Sequence, residues 1–210
     1  MNNFKTIAQA QILAKRKSSK GTFNWLMAGA ENNQTELKNI EDLDAIKIQP
    51  RILNRTDKLN LRSRFIDTTL TSPLILSPMG HQTQFHKFGE IETSFGTKKY
   101  GTLTFFSTQG RIDLEEIKKK TNNKKLVWEI FPFGNKSWIE KQIKIAEKSK
   151  CLAVSFCFDA NVRSQRYIDI ETGYDARKHG VRKMKTPPNP SISRSYDWDF
   201  IKWVKRKTKL

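Results

Sequence analysis

Four short apolar segments of this chain each lead directly into residues that could bind a polar ligand or move a proton. In chain order these residues are Pro78-Met79-Gly80-His81-Gln82, Ser107-Thr108-Gln109-Gly110, Glu129-Ile130-Phe131 and Cys157-Phe158-Asp159, the last leading to Arg163 and Arg166. Small residues let the backbone approach a ligand closely. An acid such as Asp159 can orient a base, and an arginine such as Arg166 can hold a carboxylate. The pattern predicts a site for a planar polar ligand.

Each of these residues also has a simpler interpretation when it is taken alone. Ser107 could cap the next helix, Asp159 and Arg166 could form a surface ion pair, and Cys157 could be a small buried apolar residue. His81 and His86 could be ordinary loop histidines. It is the shared position of the polar residues after apolar segments that favours a site.

The segments themselves predict a parallel sheet. They begin near residues 74, 102, 125 and 152 and show no alternation of apolar and polar residues. Helical patterns over 89–100, 114–121 and 137–148 separate them, with Asp113 and Glu116 resembling a capping box. Such an arrangement is typical of buried parallel strands in βαβ units, whose sites lie at the carboxyl ends of the strands. Half of a (β/α)₈ barrel and an open doubly wound sheet both fit, although the dinucleotide-binding glycine motif is absent.

The flanking segments have other patterns. Helices are predicted over 4–17, 23–28 and 35–43, followed by short extended pieces over 46–48, 51–53 and 61–66. We therefore divide the chain into residues 1–72, with helices and a β-hairpin, and residues 73–210, with about four βα units. Residues 159–196 form a long polar stretch without a predicted element, and a last helix covers 198–207.

Composition excludes several classes of protein. The 210 residues include 39 Lys and Arg against 21 Asp and Glu, a net charge of +18. The excess is spread along the chain, so we do not expect nucleic-acid binding. No apolar run reaches the roughly 20 residues of a membrane span, and no Cys/His spacing predicts a metal site. Two cysteines fit a reducing cytoplasm, although the first 30 residues lack acids, as organelle-targeting segments do.

Several motifs in order match one enzyme family. They are Phe23-Asn-Trp-Leu-Met-Ala-Gly-Ala-Glu31, Gln49-Pro-Arg-Ile-Leu53, Ser72-Pro-Leu-Ile-Leu-Ser-Pro-Met-Gly80, His86 with Gly89 and Glu90, Tyr100-Gly-Thr-Leu-Thr-Phe-Phe-Ser107, and the Asp159-to-Arg166 spacing. Nearly the whole chain thereby resembles the N-terminal half of the FMN-dependent α-hydroxy acid oxidases and dehydrogenases, which act on glycolate, lactate and mandelate. The resemblance implies an α/β fold, the first half of a TIM (β/α)₈ barrel.

The resemblance also implies roles for individual residues. The backbone of Pro78, Met79 and Gly80 would face the isoalloxazine ring of FMN, and its polar edge would be bordered by Ser107, Glu129 and Cys157. The substrate-binding positions would be Phe23, Phe131 and Arg166, while Asp159 would orient the catalytic histidine. Four of these residues depart from the family: Phe23 and Phe131 replace tyrosines, Glu129 replaces glutamine and Cys157 replaces threonine.

In that family three features belong to the second half of the barrel: the catalytic His-x-Gly-Arg segment, a lysine near the flavin and the glycine-rich phosphate loops. The present sequence does not include that half. The function expected is FMN-dependent oxidation of a small L-2-hydroxy acid to the 2-oxo acid. Activity would require a second polypeptide that completes the barrel, or self-association. The alternatives are an inactive remnant or non-catalytic binding protein and, third, a basic nucleic-acid-binding protein.

Overall fold

Helices and strands are distributed between two units of the chain. The computed structural model describes residues 4–55, 57–159, 164–179 and 195–210. The described residues up to 58 form one unit together with 164–179, and those of 59–159 form the other together with 195–210. The boundary at residue 72 remains a prediction about domain organisation.

The larger unit contains the strands. Its elements are β1 (Ser63–Phe65), β2 (Thr68–Leu70), β3 (Ile75–Leu76), α4 (Gly89–Lys99), β4 (Leu103–Ser107), α5 (Leu114–Thr121), β5 (Leu126–Ile130), α6 (Lys136–Lys148), β6 (Ala153–Phe156) and α8 (Trp198–Lys207). β1 and β2 pair as an antiparallel hairpin, while β3, β4, β5 and β6 form a parallel sheet in that order. The four predicted apolar segments are therefore the four parallel strands.

The strand order resolves the choice between the two predicted architectures. A doubly wound sheet reverses its strand order at a switch point and carries helices on both faces. In this sheet the strands follow one another in chain order, and residues of α4, α5, α6 and α8 contribute to a single apolar cluster with the sheet. Sequential parallel strands with helices on one face form a partial (β/α) barrel.

Alternation along the strands separates two faces. Phe106, Leu126 and Trp128 point into the apolar cluster with the helices. Leu103 and Val127 point the other way, into a smaller cluster with Leu70 of the hairpin. Since side chains two residues apart share a face, the hairpin covers the amino-terminal part of this second face, called the inner face here.

The described residues of the smaller unit form helices and connecting loops. The helices are α1 (Ile7–Lys17), α2 (Lys20–Met27), α3 (Gln34–Ala45) and α7 (Tyr167–Thr172). The hydroxyls of Thr6 and Ser19 cap α1 and α2 by accepting backbone N–H bonds. Thr22 of α2 lies 2.8 Å from the Tyr174 hydroxyl just after α7, so a hydrogen bond joins the two chain segments of this unit.

Three details of the sequence interpretation need correction. The stretch over 159–196 was expected to lack an element, yet it contains α7, which ends at Gly173 in the left-handed conformation. It also contains a 3₁₀ turn at Ala176–Lys178. Residues 160–163, which include Arg163, and 180–194 lie outside the described residues. The Asp113 side chain makes no capping hydrogen bond at α5, and 46–48 and 51–53 belong to neither helix nor strand. In the described ranges no helix is long and apolar enough to cross a membrane.

Candidate functional site

Polar side chains form a row across three neighbouring strand ends on the inner face. Ser107 and Glu129 are register partners on β4 and β5, and Cys157 follows the end of β6. Ser107 is only 3% exposed. Its hydroxyl donates to the Glu129 carboxylate and accepts the Gln109 backbone N–H at 3.2 Å. We call Ser107, Glu129, Cys157 and Asp159 the strand-end row.

The environment of Glu129 disfavours its charged form. Burial raises the pKa of this carboxyl, and the negative charge of Asp159 raises it further, while the Ser107 hydrogen bond acts in the opposite direction. The row is thus rich in acceptors when Glu129 is ionised. A protonated Glu129 would add a donor, so the same residue can face either kind of ligand atom.

Cys157 and Asp159 are coupled at the end of β6. The Cys157 thiol donates to Asp159 Oδ1 at 2.7 Å. Burial raises the pKa of this thiol to about 12, with further contributions from the hydrogen bond to Asp159 and from the charges of Asp159 and Glu129. Cys157 is therefore a neutral donor at physiological pH and makes a poor nucleophile.

The turn after β3 lies against the loop after β4. A Cβ atom added at Gly80 would come within 3.2 Å of the Gln109 carbonyl oxygen, so a larger residue would push the two loops apart. The Met79 carbonyl accepts from the Gln82 side chain at 3.1 Å, and the Met79 side chain is 49% exposed. Pro78, Met79 and Gly80 thus lie in a braced turn at the carboxyl edge of the sheet.

Two buried charged residues, Glu90 and Arg111, support these loops. Glu90, 1% exposed at the start of α4, accepts the Arg111 backbone N–H at 3.2 Å. The Arg111 guanidinium lies 3.4 Å from His81 Nδ1. The sequence motifs identified Glu90 but missed Arg111. They also missed that the Thr108 hydroxyl accepts the Phe131 backbone N–H at 3.0 Å, which fixes the end of β5 against the loop after β4.

The two remaining predicted positions, Phe23 and Arg166, belong to the smaller unit. Arg166 Nε is 3.0 Å from Asp169, and the guanidinium also donates to the Trp25 backbone carbonyl. The Trp25 ring centroid lies 5.7 Å from the centre of the guanidinium. Arg166 is therefore packed on α2, the helix that carries half-buried Phe23. Its carboxylate partner in this unit is Asp169, and the position of Asp169 one helical turn after Arg166 is the signal that could have identified it.

The row offers hydrogen-bond donors and acceptors to a planar polar ligand. It combines a hydroxyl, a carboxyl and a thiol on one face of three adjacent strands. Beside it, the Ser155 hydroxyl is buried and has no hydrogen-bond partner among the described residues, although its register partner is Glu129. A planar ligand with alternating donors and acceptors fits such a set. Among the residues that the structure describes, no group of three or more His, Cys, Asp or Glu side chains is placed to hold a metal ion.

A separate cleft of about 280 Å³ lies on the other face of the sheet, between α5 and α6. Trp128 and Trp138 line it together with Lys141. Ser107 contributes to its rim, whereas Glu129 and Cys157 do not. The cleft and the strand-end row therefore share Ser107, whereas the other members of the row do not line the cleft.

Comparison with known proteins matches nearly the entire chain to one family. The family model for FMN-dependent dehydrogenase matches residues 14–210. The L-lactate dehydrogenase of Acinetobacter baylyi is 26% identical over 81% of this chain and 44% of its own length. Glycolate oxidase 3 of Oryza sativa is 22% identical over 97% of this chain and 60% of its own length. This chain thus spans about half the length of the curated relatives it matches.

The fold is also found among solved structures. A mandelate oxidase mutant in complex with (S)-mandelic acid superposes with a TM-score of 0.88 at 18% identity. The superposition covers 99% of this chain and 60% of the mandelate oxidase chain. At that identity the similarity establishes the fold, the partial (β/α) barrel described above.

Proposed function

The chain belongs to the FMN-dependent dehydrogenase family, and on this basis we propose that it supplies the flavin-facing half of an enzyme that oxidises a small L-2-hydroxy acid to the 2-oxo acid. The observation that carries the proposal is the strand-end row. Its residues converge from β4, β5 and β6 onto the inner face at the carboxyl edge, where (β/α) barrels hold their ligands.

FMN, when bound, would supply the electron acceptor for the oxidation. The backbone of Pro78, Met79 and Gly80 would lie against its ring, because Gly80 leaves no side chain between the two loops. Ser107, Glu129 and Cys157 would bind its polar edge through the hydroxyl, carboxyl and thiol.

Two residues of the smaller unit would contribute to the substrate site. Arg166 uses only part of its guanidinium on Asp169 and Trp25, and an arginine has five N–H donors for a substrate carboxylate. Phe23 of α2, and separately Phe131 of the larger unit, would each present an apolar ring where the family has a substrate-contacting phenol. Asp159 would orient the histidine that removes the substrate proton. That histidine would come from the part of the relatives that this chain does not span.

A second polypeptide, or a second copy of this chain, would then complete the barrel. β3 and β6 each pair with one neighbour in the described sheet, so each has one open edge. Strand edges of this kind pair readily with another chain. The two free cysteines support a cytoplasmic location, because disulfides are rare there.

The proposal is tested by co-producing this chain with the part of the Acinetobacter baylyi L-lactate dehydrogenase that the match leaves uncovered. We expect a yellow complex whose flavin absorbance bleaches on anaerobic addition of L-lactate, glycolate or mandelate. Ser107→Ala should weaken FMN binding, measured by the quenching of flavin fluorescence. Ser137→Ala, at an exposed serine of α6, is the matched control and should leave it unchanged.

A colourless complex, or equal FMN affinity for the Ser107→Ala and Ser137→Ala variants, would contradict the proposal. The second candidate function is binding without catalysis, which the absence of a phenol at Phe23 and Phe131 favours. In that case the complex would hold FMN, yet none of the three hydroxy acids would bleach it. Restoring the phenols by Phe23→Tyr and Phe131→Tyr then tests whether their absence is the cause.

A further inference from the structure

The end of the larger unit opposite the strand-end row gathers the last turns of its helices. A helix that follows a parallel strand runs back along it, so it ends where the next strand begins. Lys98 at the end of α4 donates to the Thr121 carbonyl at the end of α5, at 2.8 Å. Thr208 after α8 donates to Glu147 near the end of α6, at 2.6 Å. Four helix ends therefore lie at one end of the sheet, which we call the basic end.

Lysines dominate these last turns. The basic residues are Lys98 and Lys99 in α4, Lys118, Lys119 and Lys120 in α5, Lys148 in α6, and Lys205, Arg206 and Lys207 in α8. Some are already paired, since Lys118 donates to the Asn123 carbonyl at 2.6 Å, Lys120 lies 3.1 Å from Glu116 and Lys207 lies 2.7 Å from Glu140. Lys99, Lys119, Lys148, Lys205 and Arg206 are exposed. With Glu116, Glu140 and Glu147 as the nearby acids, the positive charge is still in excess.

The helix dipole alone does not account for this density. It favours a cation in the last turn of a helix, but Lys124 and Lys150 lie outside helices and extend the charge into the loops before β5 and β6. Burial lowers the pKa of Lys118, and the positive charges of Lys124 and Lys150 lower it further against the opposing effect of Cys151. These lysines repel one another in the folded chain, a cost that an anionic partner would relieve.

Two large apolar side chains stand exposed at the same end. Tyr100 immediately follows α4, and Leu74 lies beside the start of β4, where its carbonyl accepts from the Thr102 hydroxyl. Each is 71% exposed. Lys99 lies over the Tyr100 ring, 5.7 Å from its centroid. Aromatic and aliphatic side chains among lysines are the combination by which proteins lie on anionic membranes.

The helix ends at the basic end are better suited to an extended anionic surface than to a single bound phosphate group. Helix C-termini carry partial negative charge, which repels an anion that comes close to the backbone. Lysine ammonium groups extend beyond these carbonyls on flexible stems and act as point charges without fork geometry. Such an array of lysines attracts an extended anionic surface. The exposed Tyr100 and Leu74 side chains can enter the interfacial region of a bilayer, whereas a nucleic-acid backbone offers them no apolar environment.

We propose that the basic end docks onto an anionic phospholipid bilayer, with its lysines at the headgroups and with Tyr100 and Leu74 in the interfacial region. The strand-end row then faces away from the membrane. This inference is independent of the proposed oxidation, because it requires neither FMN nor a second polypeptide.

The test is sedimentation of the purified chain with vesicles of phosphatidylcholine containing about 30% phosphatidylserine, at about 0.15 M salt. We expect binding that falls as salt rises and that is absent with pure phosphatidylcholine. The charge variant combines Lys119→Gln, Lys148→Gln and Lys205→Gln, one exposed lysine on each of α5, α6 and α8. At roughly fivefold per lysine, the partition coefficient should fall about a hundredfold.

The matched control neutralises three exposed lysines away from the basic end, by Lys87→Gln, Lys136→Gln and Lys141→Gln. It has the same net charge and should bind almost as well as the unaltered chain. Circular dichroism and the thermal unfolding midpoint check that both triple variants are folded. Equal loss of binding in the two variants would overturn the proposal, because net charge and not the basic end would then govern binding.

Binding to random-sequence duplex DNA tests whether the basic end prefers a nucleic acid to a lipid surface. Leu74→Ser combined with Tyr100→Ser should weaken vesicle binding severalfold and leave any DNA binding unchanged. DNA that displaces the chain from vesicles at matched charge concentration, together with no effect of the Leu74 and Tyr100 substitutions, would overturn the lipid assignment. Failure to sediment with phosphatidylserine vesicles at physiological salt would overturn it outright.

Discussion

Alkylation of Cys157 tests the electrostatics of the strand-end row directly. The thiol donates to Asp159 at 2.7 Å, and its pKa is raised from an ordinary 9.0 to about 12, chiefly by burial and then by Asp159 and Glu129. Only the thiolate reacts with iodoacetamide. At pH 8 the thiolate fraction should fall from about 10% to about 0.01%, roughly a thousandfold.

The rate should fall by less than the thiolate fraction. A thiolate of higher pKa is the better nucleophile, with a Brønsted slope of about 0.4–0.5. A pKa that is higher by about three units then slows the alkylation of Cys157 by about thirty- to sixtyfold relative to the same cysteine in the unfolded chain. Mass spectrometry of the peptide that contains Cys157 measures this rate in the native chain and in denaturant.

Asp159→Asn isolates the contribution of the neighbouring carboxylate. The substitution removes one negative charge and the acceptor that holds the proton, while burial remains, so the pKa of Cys157 should fall only part of the way. The alkylation rate should rise about threefold to fourfold for each pH unit by which the pKa falls. Cys151 is the internal control, because its pKa of about 12 is due to burial, opposed by Lys118, and not to Asp159.

Three outcomes would refute this reasoning. Cys157 could react in the native chain as fast as in the unfolded chain, or Asp159→Asn could leave its rate unchanged. A parallel rise at Cys151, which is 5% exposed, would show that the substitution loosens the fold and does not act on the thiol.

Three further predictions concern stability, each measured by urea unfolding. Asn123→Ala should cost about 2–4 kcal/mol, because its amide joins Ser94, Thr97 and the Lys125 backbone N–H in a buried network; Asn123→Asp should recover part of this. Phe106→Ala should cost about 3–5 kcal/mol, since its side chain is fully buried between sheet and helices; a loss below about 1 kcal/mol would contradict that packing. Glu129→Gln should stabilise the chain at neutral pH. Because the pKa of Glu129 is raised in the folded chain, its ionisation lowers folding stability as pH rises from the ordinary pKa of 4.5 through the raised value. The gain should vanish below that range, and a gain independent of pH would contradict an effect of ionisation.

The apolar pattern was sufficient to predict the strands and most helices. Runs such as Leu126–Ile130 are buried on one face by helices and on the other by the hairpin, so burial on both faces removes the alternation that an exposed strand would show. The short helix α7 escaped because its six residues are too few for a periodic signal, and its left-handed C-cap at Gly173 is visible only in the backbone.

The positions of the candidate-site residues could be predicted from the sequence, but their hydrogen-bond and ion-pair partners could not. Strand ends must meet at one edge of a parallel sheet, so Ser107, Glu129 and Cys157 could be grouped before their contacts were known. Which groups pair depends on side-chain direction, which spacing does not fix. Arg166 therefore pairs with Asp169, one turn away on α7, while Asp159 accepts the proton of Cys157.

The same chain geometry accounts for both ends of the larger unit. Parallel strands place their carboxyl ends together, which concentrates Glu129 and Asp159 at one edge, and the returning helices place their C-termini at the other, where the dipole favours lysine. The two ends therefore differ in charge, and the strand-end row is separated from the lysines by the length of the sheet. A ligand with N–H donors is consequently attracted to the carboxyl edge, and an anionic surface is attracted to the basic end. Neutralising Lys119, Lys148 and Lys205 should therefore leave the alkylation rate of Cys157 unchanged, since the charged groups that raise the pKa of that thiol are Asp159 and Glu129.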